Sequence, residues 1–327
     1  MKTTETAIAI KKGSSKTTML AVRMYSYGGP EVLRYEEVPK PQPGTGEILI
    51  KVHAAGVNPL DWKVREGYFK QMVDYKLPLI PGWDFSGAVD TLGPNADRFE
   101  EGDEVFGKAD SLRDGAYAEY LVMKESEVAF KPKSIDHIEA AAIPIGALTA
   151  WQALFDTARL KEGQSVLIHA AAGGVGHFAV QFAKWKGATV IGTASQRNLD
   201  FLRQLGVDKA IDYHKRQFED VVRDVDVVLD TIGGDIQKRS WKVLKKGGIL
   251  ISIVSPPSQQ EADANGVYQA FVRAQSNAAQ LAEIAELVDS GELVSIVETV
   301  LPLSEARHAQ ELSQAGHTRG KIVLKIV

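Results

Sequence analysis

Apolar and polar residues follow two different rhythms along this chain, and the rhythm changes near Ile138. Before that point the apolar residues come in short runs set between turn formers. Leu20–Arg23 and Leu33–Glu37 read as strands around a Gly28-Gly29-Pro30 turn, and Pro39–Gly46 reads as a loop. Glu47–Ala55 alternates apolar and polar residues, with Ile48, Ile50, Val52 and Ala54 on one side, as a half-buried strand does. Gly56–Gly67 is a loop that opens a short helix, with Asp61 placed to cap it. Leu79–Val89 leads through Pro81-Gly82-Trp83-Asp84 into another strand, and Gly102–Gly107 and Gly115–Met123 continue the pattern. Many short strands separated by turn signals predict a small barrel or sandwich.

From Ile138 to Phe155 the spacing becomes helical and alanine-rich. The stretch Ser165–Gly187 then sets the organisation of the second half of the chain. Val166, Leu167 and Ile168 make a buried-strand run, Ala171-Ala172-Gly173-Gly174-Val175-Gly176 makes a tight turn, and Val175, Phe178, Ala179, Phe182, Ala183 and Trp185 recur at helical spacing. Strands are predicted at Thr189–Ala194, Ala210–Tyr213, Val225–Ile232 and Gly248–Val254. Helices are predicted at Leu199–Leu205, Phe218–Arg223 and Ile236–Leu244. Alternating β and α at this spacing predicts an α/β, doubly wound parallel sheet. Asn277–Ser290 is an amphipathic helix, after which Val297–Leu303 and Lys321–Val327 return to strand character around a short helix through His308. The tail is expected to rejoin the first half. The predicted organisation is therefore a disordered extension (1–18), a β-rich domain (19–144, completed by 290–327) and an inserted nucleotide-binding domain (145–289).

Composition narrows the picture only a little. The 327 residues suffice for two domains, and a net charge of −4 gives no footprint for nucleic acid. No apolar run reaches the length of a membrane span. The first 18 residues resemble neither a signal peptide nor a transit peptide. Cysteine is absent, which removes disulfides and thiolate metal sites and fits a reducing cytoplasm. The seven histidines lack paired ligand spacing.

The glycine turn carries the first candidate chemistry. Strand, tight turn and helix are the setting of a dinucleotide fingerprint, in which glycines let the backbone approach a pyrophosphate at the helix N-terminus. Gly173, Gly174, Val175 and Gly176 are the residues expected there; Ala171 replaces the first glycine, so that position must avoid positive φ. The next strand selects the cofactor. An NAD site carries an acidic residue at its tip to bond the ribose 2′-hydroxyl. Here the tip reads Ser195-Gln196-Arg197, a hydroxyl and a guanidinium suited to a 2′-phosphate. Tyr213, ending the following strand, adds a hydroxyl at the same edge, and the expected cofactor is NADPH.

These motifs, together with Gly56–Asp61, Pro81–Asp84, Ala147–Ala150, Asp230–Gly234 and Gly320–Leu324, resemble the medium-chain dehydrogenase/reductase superfamily in its zinc-independent quinone oxidoreductase branch. The resemblance covers Met19–Val327. It implies a GroES-like β-barrel completed by the tail, an inserted Rossmann domain, and an active site in the cleft between them. Zinc members place a cysteine where Asn58 stands, a histidine and glutamate where Trp83 and Asp84 stand, and a third ligand near Ile145. The resemblance therefore implies no metal.

Without a Lewis acid, a nicotinamide can still deliver hydride to an electron-poor carbon of an α,β-unsaturated carbonyl or a quinone. The protein's main contribution is then stabilisation of the developing oxyanion. Lys63 is the candidate donor, with Tyr68 as the second; the lysine form resembles plant enone and alkenal reductases. Asn58 is expected at the cofactor's ribose or the substrate carbonyl, Thr149 at the nicotinamide, Ser255 beside that ring, and Lys321 at a cofactor phosphate. The family implies a homodimer, with Gly247–Val254 as the edge strand at its seam. Two other readings remain open: a strict quinone reductase, and a non-catalytic NADPH-binding protein like the crystallins of this branch.

Overall fold

The computed structural model describes residues 17–327, and the expected disordered extension lies outside them except for its last two residues. Thr18 already belongs to a strand. β1 (Thr18–Met24) and β2 (Leu33–Pro39) form an antiparallel ribbon. β3 (Glu47–Val57), helix α1 (Pro59–Arg65), β4 (Asp84–Leu92), β5 (Glu104–Lys108), β6 (Tyr120–Lys124) and β7 (Val128–Phe130) come next. In β3, Ile48, Ile50 and Val52 are fully buried and Lys51 is exposed, but Leu49 is buried as well, so the alternation holds only in part. Trp83, Phe85 and Tyr117 fill the centre of this half, while Phe106 packs with the core of the other half.

The single helical stretch expected over Ile138–Phe155 is divided. α2 (His137–Ala141) ends before Pro144, which opens α3 (Pro144–Trp151) because proline suits the first helical position and not an interior one. α3 runs on into a π-helical turn, Gln152–Thr157.

Beyond it the chain builds a parallel sheet from β8 (Ser165–Ile168), β9 (Thr189–Ala194), β10 (Lys209–Asp212), β11 (Val225–Asp230), β12 (Leu244–Ser252) and β13 (Tyr268–Phe271). The helices between and after them are α4 (Gly176–Trp185), α5 (Leu199–Gln204), α6 (Phe218–Val221), α7 (Gly234–Ser240), α8 (Gln259–Asn265) and α9 (Ala278–Asp289). The six strands lie in the order β10-β9-β8-β11-β12-β13, all parallel. Chain order reverses between β8 and β11, and in open α/β sheets ligands bind outside the carboxyl ends of the strands at that point.

The segment after β12 carries α8, whose side chains are polar apart from alanine and so give no apolar period. Its signals are local: Ser258 accepts from the Glu261 N–H at 3.3 Å, and Gly266 stops the helix at φ 65°. One expectation is corrected here, that of the sheet edge. Of Gly247–Val254, the residues up to Ser252 belong to β12, which is an inner strand, and the edge is β13.

The tail returns as expected. β14 (Val297–Pro302), α10 (Ala306–Ala315) and β15 (Lys321–Lys325) complete a seven-stranded sheet in the order β14-β15-β3-β4-β5-β7, with β6 also paired to β3. β15 pairs antiparallel with β3, setting Ile322 opposite Val57. Among the described residues, no helix is long and apolar enough to cross a membrane.

Candidate active site

The glycine turn lies between β8 and α4, at the reversal point of the parallel sheet. Gly176 is needed for close approach, since a Cβ there would stand 2.3 Å from the Ala170 carbonyl oxygen. The left-handed residue of the turn is Ala170, with φ 46°, one position before Ala171. His177 braces the turn by donating from Nδ1 to the Gly173 carbonyl at 2.8 Å, and burial pushes its pKa down to about 4. Among the described residues, the N–H groups of Gly174 and Val175 find no acceptor in the chain. Free amides at the start of a ten-residue helix suit an anion, so the turn fits a dinucleotide pyrophosphate. The segment before β15 covers the turn, with the Gly320 N–H donating to the Ala172 carbonyl at 2.8 Å.

The adjacent tips of β9 and β10 bring Ser195, Arg197 and Tyr213 to one edge, joined by a bond from the Tyr213 N–H to the Ala194 carbonyl at 3.2 Å. The sequence reading missed Lys215, which donates to Gln196 at 2.6 Å on the same edge. Arg197 reaches across to the His317 carbonyl. No carboxylate stands at the tip of β9 itself, so the edge suits an added phosphate.

On the barrel side a polar network is buried beneath the cleft. Asn58 opens α1, where its N–H donates to Asp61 at 2.8 Å and its side-chain amide donates to Asp84 at 2.9 Å. The Lys321 ammonium donates to Asn58 Oδ1 at 2.5 Å and to Asp84 at 3.1 Å. The other Asp84 oxygen accepts the Ile145 N–H at 2.7 Å, tying α3 to the barrel. Asp84 is fully buried and Lys321 is 3% exposed. The sequence places Lys321 at a phosphate. Its stem does pass Gly174, but its ammonium is paired with Asp84.

Asp61 lies one step further in. Its carboxylate also accepts the Tyr117 hydroxyl at 2.8 Å. Burial, only partly offset by these donors, pushes its pKa up to about 7. Burial and the Asp61 carboxylate raise Tyr117 well above its usual value. Asp84 and Tyr117 are members of this site that the sequence does not single out. An isolated acidic or tyrosine residue carries no pattern that reports such a network.

The remaining expected residues stand in different states. Lys63 is half-buried on α1 with no ion-pair partner among the described residues, and desolvation lowers its pKa. Tyr68 is 61% exposed and meets Trp62 edge-on at 5.6 Å. Thr149 is buried in α3 and donates to the Ile145 carbonyl at 2.6 Å, so its hydroxyl faces back along the helix. Ser255 comes after β12 and is held beside Gln237, whose amide donates to its carbonyl at 3.1 Å.

Comparison with known proteins gives consistent results. Residues 44–133 match the alcohol dehydrogenase GroES-like domain, and residues 205–324 match the family described as zinc-binding dehydrogenase. The chain is 32% identical to the chloroplastic quinone-oxidoreductase homolog of Spinacia oleracea, over 94% of this chain and 98% of that protein. It is 34% identical to the chloroplastic NADPH-dependent alkenal/one oxidoreductase of Arabidopsis thaliana, over 97% of this chain and 82% of that one. The quinone oxidoreductase structure from Coxiella burnetii superposes with a TM-score of 0.88 at 36% identity, over 95% of this chain and all of that one.

The second family description implies zinc, but the residues here do not suit it. A catalytic zinc takes three protein ligands from imidazole, thiolate or carboxylate. Asn58 offers an amide, Trp83 an indole that donates to the Arg113 carbonyl at 3.2 Å, and Asp84 a carboxylate already paired with an ammonium. Among the described residues no group of three metal-ligating side chains is close enough to hold an ion.

Proposed function

The chain belongs to the medium-chain dehydrogenase/reductase superfamily, and from that premise we propose that it is a zinc-independent, NADPH-dependent reductase of enones and quinones. It is an oxidoreductase that uses a nicotinamide cofactor, as its relatives are. The observation that carries the finer reading is the Asn58–Asp84–Lys321 cluster. A protein ammonium lies where the zinc members hold their metal, which leaves no Lewis acid to activate an alcohol oxygen.

When bound, the dihydronicotinamide supplies a hydride to an electron-poor carbon. The Gly174 and Val175 amides hold its pyrophosphate, Ser195, Arg197 and Tyr213 hold its 2′-phosphate, and Asn58, Thr149 and Ser255 border its ring. Lys63, unpaired and half-buried, stabilises the oxyanion that develops on the substrate, with Tyr68 as the second candidate donor. The same reading places the protein in the cytoplasm as a homodimer joined through the free edge of β13, where Tyr268 is 68% exposed.

The test is NADPH oxidation, with NADH in parallel, against one small alkenone and one ortho-quinone. Reduction of the alkenone with tenfold preference for NADPH, about 1.4 kcal/mol, is the expected result. Reaction with the quinone alone would make it a strict quinone reductase. NADPH binding with no acceptor turned over would leave a binding protein. Lys63→Ala is expected to cut turnover while leaving NADPH affinity nearly unchanged; unaltered turnover removes Lys63 from the site.

A further inference from the structure

Helix α1 carries Lys63, yet it spans only seven residues. A helix of that length does not hold its shape in water by itself, so packing has to fix its direction. Two buried side chains do so. Asp61 and Arg65 are both fully buried, and at four residues apart they share one face of the helix. Lys63, midway between them, projects from the opposite side.

The start of the helix is held through Asp61, which accepts the Asn58 N–H and the Tyr117 hydroxyl, each at 2.8 Å. Its end is held through Arg65. The guanidinium donates from Nη1 to Gln310 Oε1 at 3.0 Å, and from Nη2 to Gln314 Oε1 and to Glu66, both at 3.0 Å. Its Nε donates to the Gly28 carbonyl at 3.2 Å, and the Gly28 N–H returns a bond to the Arg65 carbonyl at 3.0 Å. Gln314 completes the group by donating to Glu66 at 2.7 Å. One side chain therefore joins α1 both to the tail helix α10 and to the turn between β1 and β2. A planar fork with donors in fixed directions can do this, and the single ammonium of a lysine cannot reproduce it.

Lys63 has no comparable anchor of its own. Its ammonium lies 5.6 Å from the Trp62 ring centroid. Burial lowers its pKa, with no charged group contributing. A group perturbed by burial alone loses the perturbation when the segment that buries it loosens.

We propose that Arg65 is a positioning residue for the reduction: it fixes the end of α1 so that Lys63 meets the oxygen of the substrate. This rests on the reading of Lys63 as the oxyanion donor. Arg65, fully buried, acts only through the helix.

The experiment has two readouts. Competitive acetylation with acetic anhydride across pH, read by peptide mass spectrometry, follows the titration of Lys63 without any turnover. Steady-state kinetics with the small alkenone gives kcat and KM. Arg65→Met is expected to move the Lys63 titration up towards that of an exposed lysine such as Lys246, and to lower kcat tenfold or more with the KM for NADPH within twofold. Arg65→Lys, which keeps the charge but not the fork, is expected to recover part of both changes. Gln310→Leu removes one acceptor and gives a smaller change in the same direction; it decides the matter if Arg65→Met does not fold. Arg307→Met is the comparator. It frees the same helix α10 from the Leu33 carbonyl, 2.9 Å away, without touching α1, so the Lys63 titration and kcat are expected to stay as in the wild type. An unchanged Lys63 titration in Arg65→Met and in Gln310→Leu, or an equal shift in Arg307→Met, overturns the proposal. If Lys63→Ala turns over as the wild type does, the donor reading fails, and the acetylation profile still decides whether Arg65 holds Lys63 in place.

Discussion

The two halves of this molecule handle charge in different ways. Among the described residues the parallel-sheet half buries aspartates such as Asp212, Asp226 and Asp230 but no lysine or arginine, and it leaves the main-chain amides of Gly174 and Val175 free. The barrel half buries cations as well, Arg65, Lys131 and Lys321, together with Asp61, Asp84 and polar partners. They come from segments far apart in the chain: Lys321 and Asn58 are separated by 263 positions, Arg65 and Gln310 by 245. The first arrangement is built locally. The second exists only when the whole barrel has closed, so its residues position the site and hold the fold together at once.

Substitutions that separate these two styles have graded effects. The largest is expected at Lys321. Lys321→Met strands the Asp84 carboxylate in the core and should cost about 3–5 kcal/mol in urea unfolding. The double variant Lys321→Met/Asp84→Asn should recover part of it. A single-variant loss below about 1 kcal/mol would show that the network is not a unit.

Asp61 gives the next effect, and its sign depends on pH. Its folded pKa of about 7 lies above the unfolded value near 3.9, so the folded chain binds the extra proton in that window. Stability contributed by Asp61 therefore falls as pH rises from about 4 to about 7. Asp61→Asn removes that slope, and its stability relative to wild type should rise across the window by up to about 4 kcal/mol. Using the difference cancels the opposing carboxylates, such as Glu47 and Asp226, whose lowered values favour the fold at higher pH. A flat difference from pH 4 to 7 would contradict the assignment.

On the parallel side the effects are smaller and fall on binding. Gly176→Ala forces a methyl against the Ala170 carbonyl and should cost about 1–3 kcal/mol, with a matching drop in NADPH affinity by fluorescence titration. Unchanged affinity would mean the turn does not hold the pyrophosphate. Arg197→Ala should leave stability within about 0.5 kcal/mol and reduce the NADPH over NADH preference about tenfold. A preserved preference moves the 2′-phosphate away from this edge.

The same contrast explains what could be read from the sequence. β8, the glycine turn and α4 are legible because all of their signals lie within about twenty residues and obey one period each. α8 and β13 are not, because a polar helix with one buried alanine has no period to read. Asn58 and Asp61 can be found as a helix start. That Asp61 reaches back to the Asn58 N–H while the Asn58 side chain turns to Asp84 comes only from packing. Lys321 belongs beside the glycine turn by sequence, and its stem is there. The register of β15 on β3, with Ile322 opposite Val57, turns its ammonium to Asn58 instead.

The position of β15 bears on synthesis. Residues 54–57 of β3 have their outer edge covered only by β15, whose chain emerges from the ribosome long after theirs. The parallel sheet is complete by residue 271, so it can fold while the barrel still has an open strand edge. Through that interval the nascent barrel exposes unpaired backbone and the Asp84 carboxylate lacks its ammonium. The final step of assembly therefore closes the sheet and neutralises the buried charge together, which makes the late strand a quality check on the entire catalytic cleft.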